Sequence, residues 1–526
     1  MAGMGTGRLR AGWAAAAITA ACITSPAAAK ADCAAMAKLA LPDGEVTSAT
    51  LVPAGSFQPP QLPGGPPPGV AAASFQNLPE FCRIQATRRP SADSDIKVEV
   101  WLPATGWNGK FAAIGNGIWA GSISYFEMGR PLARGYAVAA TDTGHTGNGM
   151  TADFAVGHPE KLKDFGYRAV HEMVVTAKAA IAAFYGRGPQ LSLWNSCSTG
   201  GRQGLMAAHR YPEDFDAISA MAPANPMTNL MTQSMWVGYQ PNRAPAAKLS
   251  RPKLMATHQA VLKQCDKLDG LEDGLISRPD LCSFDPVSIQ CKAGDGDSCL
   301  TAEQVGTMRA VYDGVRDSSG AWLLPGFPRG SEMQLGMLMM SDAPFPVADT
   351  FFSMLVYGDK PGWTFRQLDY GQGLRDARRF ADILDVPADG LDPFFARGGK
   401  LLLSHGWNDG LIPATNTLAF YHDLYAALPA AQAEQQLRLF MVPGMEHCAG
   451  GEGVSQFDTL GTIDDWAAGG AAPMRLVATR AAPMMPGAPE LPPLSRPLCA
   501  WPMVAQYNGS GDPSEAANFS CVVPKD

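Results

Sequence analysis

The sequence has little charge and no concentration of it. Charged residues make up 17% of 526, the formal net charge is −8, and no basic run extends beyond a couple of residues. A nucleic-acid partner is thereby excluded, because gripping a phosphate backbone takes a clustered basic face. Beyond the N-terminus no stretch has the roughly eighteen unbroken apolar residues of a membrane-spanning helix. No internal repeat is present, which argues against solenoids and propellers. With 46% apolar residues the chain can bury a sizeable core. Its length suits one large α/β domain with an insertion, or several ordinary domains.

The N-terminus differs from the rest. Arg8 and Arg10 precede an alanine-rich apolar stretch at 12–23, followed by Pro26 and the small residues Ala29 and Ala31. This pattern suits export and cleavage before Asp32, so 1–31 reads as a signal peptide and the mature chain as secreted or periplasmic. The alternative, a lipoprotein signal ending at Cys22, lacks the usual leucine in "TAAC". Removing the signal leaves ten cysteines: Cys33, Cys82, Cys197, Cys265, Cys282, Cys291, Cys299, Cys448, Cys499 and Cys521. An even number in an exported chain suggests five disulfides, with connectivity left open.

Residues 53–69 are rich in proline and glycine and read as an extended surface segment. Then "DIKVEVWLP" alternates like a strand, and "GKFAAIGNG" and "GYAVAATDTG" read as buried strands entering loops. A helical pattern covers 161–185, with Val170, Met173, Val174, Ala177 and Ile181 along one face. After it come a short apolar strand at 190–194, a helix from 200–209, and the strand "DAISAMAPAN". Strands alternating with helices predict a largely parallel sheet covered on both faces. The rhythm stops near Pro223 and resumes at "GKLLLSHGWNDGLIP", a helix over 415–428, and a last strand "LRLFMVPGMEHC". The expected architecture is one α/β core, 32–223 and 396–526, interrupted by a capping lid at 224–395.

Between the strand at 190 and the helix at 200 the chain reads "SCSTG". A strand turning sharply into a helix through small residues is the setting of a nucleophile elbow, G-x-S-x-G, here with Ser196 in place of the first glycine and Ser198 as candidate nucleophile. On an α/β-hydrolase sheet the acid and base follow the serine in that order, each in a loop after a strand. Asp409 lies five residues beyond "KLLLS", and His447 five beyond "LRLFMV". His447 would take the proton from Ser198 as it attacks an ester carbonyl, and Asp409 would fix the imidazole tautomer. The oxyanion needs two backbone N–H donors: Thr199 is one candidate, and Gly117 or its neighbour Gly115 in "IGNGIWAG" the other. If Ser198 and His447 touch, their neighbours Cys197 and Cys448 are close enough for a disulfide.

The segments "SCSTGGRQG", "HGWNDGLIP" and "GMEHC" resemble the tannase and feruloyl esterase family, which includes mono(2-hydroxyethyl) terephthalate hydrolases. The likeness spans nearly the whole mature chain. It implies an α/β-hydrolase fold with a large lid, a disulfide Cys197–Cys448 beside the catalytic serine and histidine, and the further pairs Cys33–Cys82, Cys265–Cys282, Cys291–Cys299 and Cys499–Cys521. The insertion also holds "CDKLDGLEDGLI", where Asp266, Asp269 and Asp273 crowd a glycine-broken loop. Hard oxygens in a tight turn suit calcium, although the spacing is not that of an EF-hand, and a solvated acidic turn is the bland alternative. The resemblance implies a lid calcium (Ca2+) site that adds the carbonyls of Leu271 and Leu275. It also implies that His405, four residues before Asp409, faces the substrate; a histidine hydrogen-bonded at a strand end reads equally well.

The leading reading is thus a secreted serine esterase acting on small esters of aromatic acids from plant cell walls or tannins, hydroxycinnamates such as ferulate first. A galloyl esterase comes second and a terephthalate monoester hydrolase third. From another class, a calcium-stabilised binding protein on an inactive hydrolase fold is opposed by the intact Ser198, Asp409 and His447. Of the lid aromatics Trp322, Phe327, Phe345, Phe351, Phe352, Trp363 and Phe365, most are expected in the lid core and one or two in a pocket wall. Neither Arg329 nor Arg366 is marked by the sequence as a carboxylate anchor.

Overall fold

The structure is a computed structural model, and it describes residues 1–5, 32–60, 73–482 and 491–524. Most of the expected signal peptide, including its cleavage region, and part of the proline-rich segment lie outside the described residues.

In chain order the first strands are β1 (Gly44–Val52), β2 (Phe81–Arg88), β3 (Ile96–Pro103), β4 (Lys110–Ala113) and β5 (Ala137–Thr141). β6 (Leu191–Cys197), β7 (Ala217–Met221) and a short ribbon of β8 (Val315–Arg316) and β9 (Trp322–Leu324) follow. β10 (Lys400–Gly406), β11 (Leu437–Val442), β12 (Arg475–Thr479), β13 (Ser495–Cys499), β14 (Val504–Tyr507) and β15 (Phe519–Val522) complete the set. Nine of them make one sheet in the order β1-β2-β3-β5-β4-β6-β7-β10-β11. The pairings from β1 to β5 are antiparallel, and those from β5 through β4 to β11 are parallel. This is the α/β-hydrolase fold expected from the sequence, with an antiparallel flank that the apolar pattern did not distinguish.

Parallel pairing aligns strand ends, because each crossover returns the chain to the same edge. Cys197 pairs with Met221, and Met221 with Ser404, so β6, β7 and β10 finish side by side. One face of the sheet is covered by the helices Ala169–Tyr185, Thr199–Arg210 and Ala414–Ala427, which bury Met173, Ile181, Leu205 and Leu424 against it. The other is covered by Tyr125–Ala133 and Thr459–Ala467 through Met128, Leu132, Leu460 and Ile463. The long helical pattern is continuous but changes pitch: Pro159–Lys163, a π turn at Asp164–Arg168, then Ala169–Tyr185.

Between β7 and β10 the insertion folds around helices Met227–Asn242, Arg251–Cys265, Ala302–Asp313 and Glu332–Met339, with two apolar clusters of its own. It rejoins the core earlier than the expected boundary at 395, since Val386, Leu391, Phe394 and Phe395 pack in the main core. Buried polar contacts tie it down. The Trp119 indole donates to the Val347 carbonyl at 3.0 Å, and Gln233 and Asn416 exchange amide hydrogen bonds at 3.0 and 2.7 Å.

His258 joins the lid to the loop after β11: its Nδ1 meets buried Glu332 at 2.7 Å and its Nε2 meets Glu452 at 2.9 Å. Burial pulls the imidazole pKa down, but the bonds and charges of the two glutamates outweigh it and push it up to about 10 from 6.5. A raised folded pKa gives stability that is fully present below the unfolded value and is lost as pH rises through the folded one. The melting temperature should therefore decline between pH 6.5 and about 10, and His258→Gln should remove most of that slope. Parallel wild-type and variant melting profiles that keep the same slope would contradict this.

Candidate active site

The strand–helix turn forces Ser198 into a conformation that L residues avoid, with φ 63° and ψ −129°. Such a residue costs roughly 1–3 kcal/mol and persists only when its surroundings hold it. Here the Ser198 N–H donates to Met221 O at 2.9 Å, and its carbonyl accepts from the N–H groups of Arg202 and Ala224 at 3.1 Å. The side chain is left at the strand-end crevice, facing the loops after β10 and β11.

Those loops deliver the other two residues singled out by spacing. His447 Nε2 lies 2.9 Å from Ser198 Oγ, and His447 Nδ1 lies 2.7 Å from Asp409 Oδ2. The carboxylate fixes the proton on Nδ1, which leaves the Nε2 lone pair directed at the serine hydroxyl. Asp409 is fully buried. Burial pushes its pKa up, yet the charges of and hydrogen bonds from His447 and His405 bring it well below the ordinary carboxylate range. Its Oδ1 also accepts from the Leu411 and Ile412 N–H groups at 2.9 and 2.8 Å.

His405 is a correction. It is 0% exposed and does not line the cavity. Its Nε2 meets Asp409 Oδ2 and the Ile412 carbonyl, both at 3.1 Å, while Nδ1 faces the Thr417 hydroxyl at 2.8 Å. Both partners of Nε2 are acceptors, so that nitrogen carries a proton and donates to the acid. The residue orients Asp409 from behind. Gln334, on the lid helix Glu332–Met339, has no sequence signature: its Oε1 accepts from Gly410 N–H at 2.9 Å and from His447 N–H at 3.0 Å. One lid amide thus ties the acid loop to the base loop.

Thr199 opens the helix Thr199–Arg210, so its N–H is among the first four that lack an intrahelical acceptor. Gly117 and Thr199 both line the cavity at Ser198. The packing need for glycine falls on Gly115 instead: a Cβ there would come within 2.6 Å of Gly200 Cα, whereas one at Gly117 would meet nothing within 4 Å. Asn116 and Gln203 clamp this loop to the helix by reciprocal bonds at 3.0 and 3.1 Å, and Thr199 Oγ1 donates to the Ile118 carbonyl at 2.8 Å.

All five disulfides pair as the resemblance implied: Cys33–Cys82, Cys197–Cys448, Cys265–Cys282, Cys291–Cys299 and Cys499–Cys521. The cavity above Ser198 measures about 610 Å³. Its lid side is formed by Met227, Leu230, Met231, Ser234, Phe345 and Val347. Phe345 is the one lid aromatic of the seven that reaches it; Phe351, Phe352, Trp363 and Phe365 pack in one lid cluster, Phe327 in the other, and Trp322 is exposed. Arg329 stacks on Tyr312 and Arg366 on Phe365, both away from the cavity. The Ser234 hydroxyl is buried without a hydrogen-bond partner among the described residues.

In the acidic loop, Asp266 accepts from the Asp273 and Gly274 N–H groups, Asp269 from Leu271 N–H and Asp273 from Leu275 N–H. Asp273 also pairs with Arg496 at 2.5 Å. Burial, with a smaller push from neighbouring aspartates, raises the pKa of Asp266 and Asp269. Among the described residues no three His, Cys, Asp or Glu side chains converge as a ready metal-ligand set.

A serine on a strand–helix turn meets a histidine and a buried aspartate at the strand ends of an α/β-hydrolase sheet, and the class of protein is that of the ester hydrolases. The chain belongs to the tannase and feruloyl esterase family, whose model matches residues 82–522. It is 34% identical to an uncharacterized esterase of Xanthomonas campestris pv. campestris, over 95% of this chain and 92% of that protein. It is 32% identical to a probable feruloyl esterase B-2 of Aspergillus terreus, over 92% and 94% of the two chains. The crystal structure of feruloyl esterase B from Aspergillus oryzae superposes with a TM-score of 0.83 at 28% identity, covering 93% of this chain and 99% of that one.

Replacing Cys197 and Cys448 together by alanine tests whether the bridge positions the site as well as stabilising it. Stability should fall by about 2–5 kcal/mol, as for a native bridge. At a temperature where circular dichroism finds the variant folded, kcat should still drop about tenfold or more, because small misplacements of reacting groups are costly. An unchanged kcat in that folded variant would leave the bridge a purely stabilising role.

Proposed function

We propose that the protein is a secreted serine esterase in which Ser198, His447 and Asp409 form a catalytic triad, and that it cleaves esters of hydroxylated aromatic acids, hydroxycinnamates such as ferulate first. The observation that carries this reading is the hydrogen-bonded chain from Ser198 Oγ to His447 Nε2 at 2.9 Å and from His447 Nδ1 to Asp409 at 2.7 Å. Ser198 Oγ attacks the ester carbonyl as its proton passes to His447 Nε2, and the carbonyl oxygen becomes an oxyanion opposite the N–H groups of Thr199 and Gly117. Collapse breaks the bond to the alcohol oxygen, which takes the proton from Nε2. Water, deprotonated by the same nitrogen, then releases the aromatic acid and restores Ser198. Asp409, held ionised, stabilises the imidazolium in both halves. The five disulfides and the N-terminal pattern support an oxidising, exported setting.

The composition of the acyl side supports the substrate choice. Its lid wall is apolar with one aromatic, Phe345, and one unpartnered hydroxyl, Ser234. That pairing suits a flat ring bearing a neutral hydroxyl or methoxy group. Among the described residues the lid wall offers no lysine or arginine for a buried terephthalate carboxylate; the cavity's one arginine, Arg130, stands on the core side with Glu127. In a panel read as kcat/KM on one preparation, methyl ferulate and methyl p-coumarate should exceed mono(2-hydroxyethyl) terephthalate, with methyl gallate between. A preference for the terephthalate monoester would overturn the acyl assignment. Ser198→Ala should lose several orders of magnitude on every ester while staying folded. Near-normal turnover would reject the triad, and failure of the folded wild type to react with a fluorophosphonate would favour an inactive binding protein.

A structural calcium in the lid is proposed on the chemistry of its donors. Asp266, Asp269 and Asp273, with the carbonyls of Leu271 and Leu275, are hard oxygens in one loop, and burial raises two of the acids. A cation there would offset the cost of burying those carboxylates and stiffen the loop, at the expense of the pair between Asp273 and Arg496. Chelation should lower the melting temperature, and Asp269→Ala should abolish the sensitivity to chelator. A wild-type melting temperature unmoved by chelator would reduce the loop to an acidic turn.

A further inference from the structure

A cleft of about 560 Å³ lies away from Ser198 and shares no wall residue with the cavity there. It is walled by Tyr421, His422 and Tyr425 of the helix Ala414–Ala427, Glu434 of the helix Ala430–Gln436, Arg438 near the start of β11, and Trp501 after β13. β10 and β11 run parallel, and Asp409 and His447 follow their far ends. From Arg438 to Val442 the strand rises about 13 Å at the usual pitch, so the cleft sits toward the end of the sheet opposite the triad. We propose that it is a second binding site, and that it takes a neutral sugar ring of a polysaccharide chain. The inference goes beyond the esterase reading and does not rest on it.

Polar groups without partners point to a ligand. Tyr421 is only 6% exposed, yet its hydroxyl has no hydrogen-bond partner among the described residues. A polar group so placed in a cleft wall calls for an explanation, and a ligand hydroxyl supplies one. Arg438 is held in place: its Nε donates to the Pro473 carbonyl at 3.0 Å and a terminal nitrogen donates to the Leu437 carbonyl at 2.7 Å. It pairs with no carboxylate among the described residues. Glu434, exposed in the same cleft, makes no hydrogen bond or ion pair among them either. A fixed guanidinium, a carboxylate and a phenol suit adjacent ligand hydroxyls, which accept from the first and donate to the second. One charge of each sign leaves little net attraction for an anion.

Rings supply the rest of the chemistry. Half-buried Trp501 and exposed His422 meet at nearly a right angle, 87°, with centroids 6.5 Å apart, and Tyr425 lies 5.9 Å from Tyr421. Such side chains present an apolar body with a polar tip, which matches a sugar's C–H face and hydroxyl edge. An aryl acid would use the rings but would bring its carboxylate to Glu434 as well as to Arg438. His422, Tyr425 and Glu434 are exposed at the rim, so a ring within a longer chain can enter. A glycan held here leaves the Ser198 cavity open.

The test runs the full chain carrying Ser198→Ala, so that no ester is turned over, through native gels cast with arabinoxylan, mixed-linkage β-glucan or polygalacturonate. At least one of the two neutral polymers should retard it, and polygalacturonate should not. Tyr425→Ala and Glu434→Gln, both at exposed positions, should each weaken the retardation several-fold at matched polymer concentration. With Ser198 intact, the same two variants should leave kcat/KM for methyl ferulate unchanged, which shows them folded and separates this cleft from the Ser198 cavity. No retardation by either neutral polymer, or retardation unmoved by either variant, overturns the site. Retardation by polygalacturonate as strong as by the neutral polymers overturns the neutral-sugar assignment. A wild type inactive toward methyl ferulate counts against the esterase reading alone, and circular dichroism then reports whether the variants are folded.

Discussion

The site is held by a covalent tie between a strand end, Cys197, and a loop residue, Cys448, that are 251 residues apart in sequence. Cys197 ends β6 and Cys448 follows His447, so the bond joins the neighbours of the two residues that must meet. Both Ser198 and Cys448 hold positive φ, 63° each, although neither is glycine. Strain of this kind survives only where the surroundings over-determine it. The bridge supplies that surrounding from one side and the hydrogen bonds to Met221, Arg202 and Ala224 from the other. The lid is inserted within the loop the bridge closes, between β7 and β10. It can therefore be large without spreading the serine and histidine apart.

The lid is also part of the site's scaffold. Gln334 ties the Asp409 loop to the His447 loop, and His258 holds Glu452 on the segment just beyond Cys448. These contacts reach the His447 loop from the lid side, while His405 meets Asp409 from inside the core. A buried carboxylate without partners would take up a proton. Asp409 stays ionised because two backbone N–H groups and two imidazoles converge on it. His405 is one of those two imidazoles, placed behind the carboxylate rather than at the cavity.

The positions of Ser198, Asp409 and His447 were legible because each sits a fixed few residues after an apolar run, and strand-end loops of a parallel sheet must converge. The central strands and the helices at 199–210 and 414–427 were legible for the same reason, since their periods are strong. The antiparallel flank was not: "DIKVEVWLP" alternates, but β3 is buried along nearly its whole length, and alternation in one strand does not say in which direction its neighbours run. Orientation was the other thing hidden. The spacing of His405 and Asp409 brings them near, but whether the ring points to the cavity or to the acid depends on Thr417 and Ile412, which a one-dimensional pattern does not connect. Nor did Gln334 stand out, as a single amide in a methionine-rich stretch. Lid aromatics were readable as a class, yet of the seven only Phe345 lines the cavity, because five of the others pack in the insertion's own clusters and Trp322 is exposed.

The unusual serine at the start of "SCSTG" follows from where the turn is tight. Ser196 is an ordinary strand residue, paired with Ala220, and does not need positive φ. The close approach is met on the far side of the turn. A Cβ on Gly200 would lie 2.0 Å from Ser196 Oγ and 2.7 Å from its Cβ, and one on Gly201 would lie 2.7 Å from the Met221 carbonyl oxygen. Gly115 opposite is similarly confined, by Gly200, Gln203 and Trp194. Three glycines thus let the loop before the helix, the helix start and β7 close on one another, and the first motif position is free to carry a small polar side chain. A Cβ at 200 would collide with Ser196 itself, so the glycine that the tight turn needs stands at 200 and not at 196.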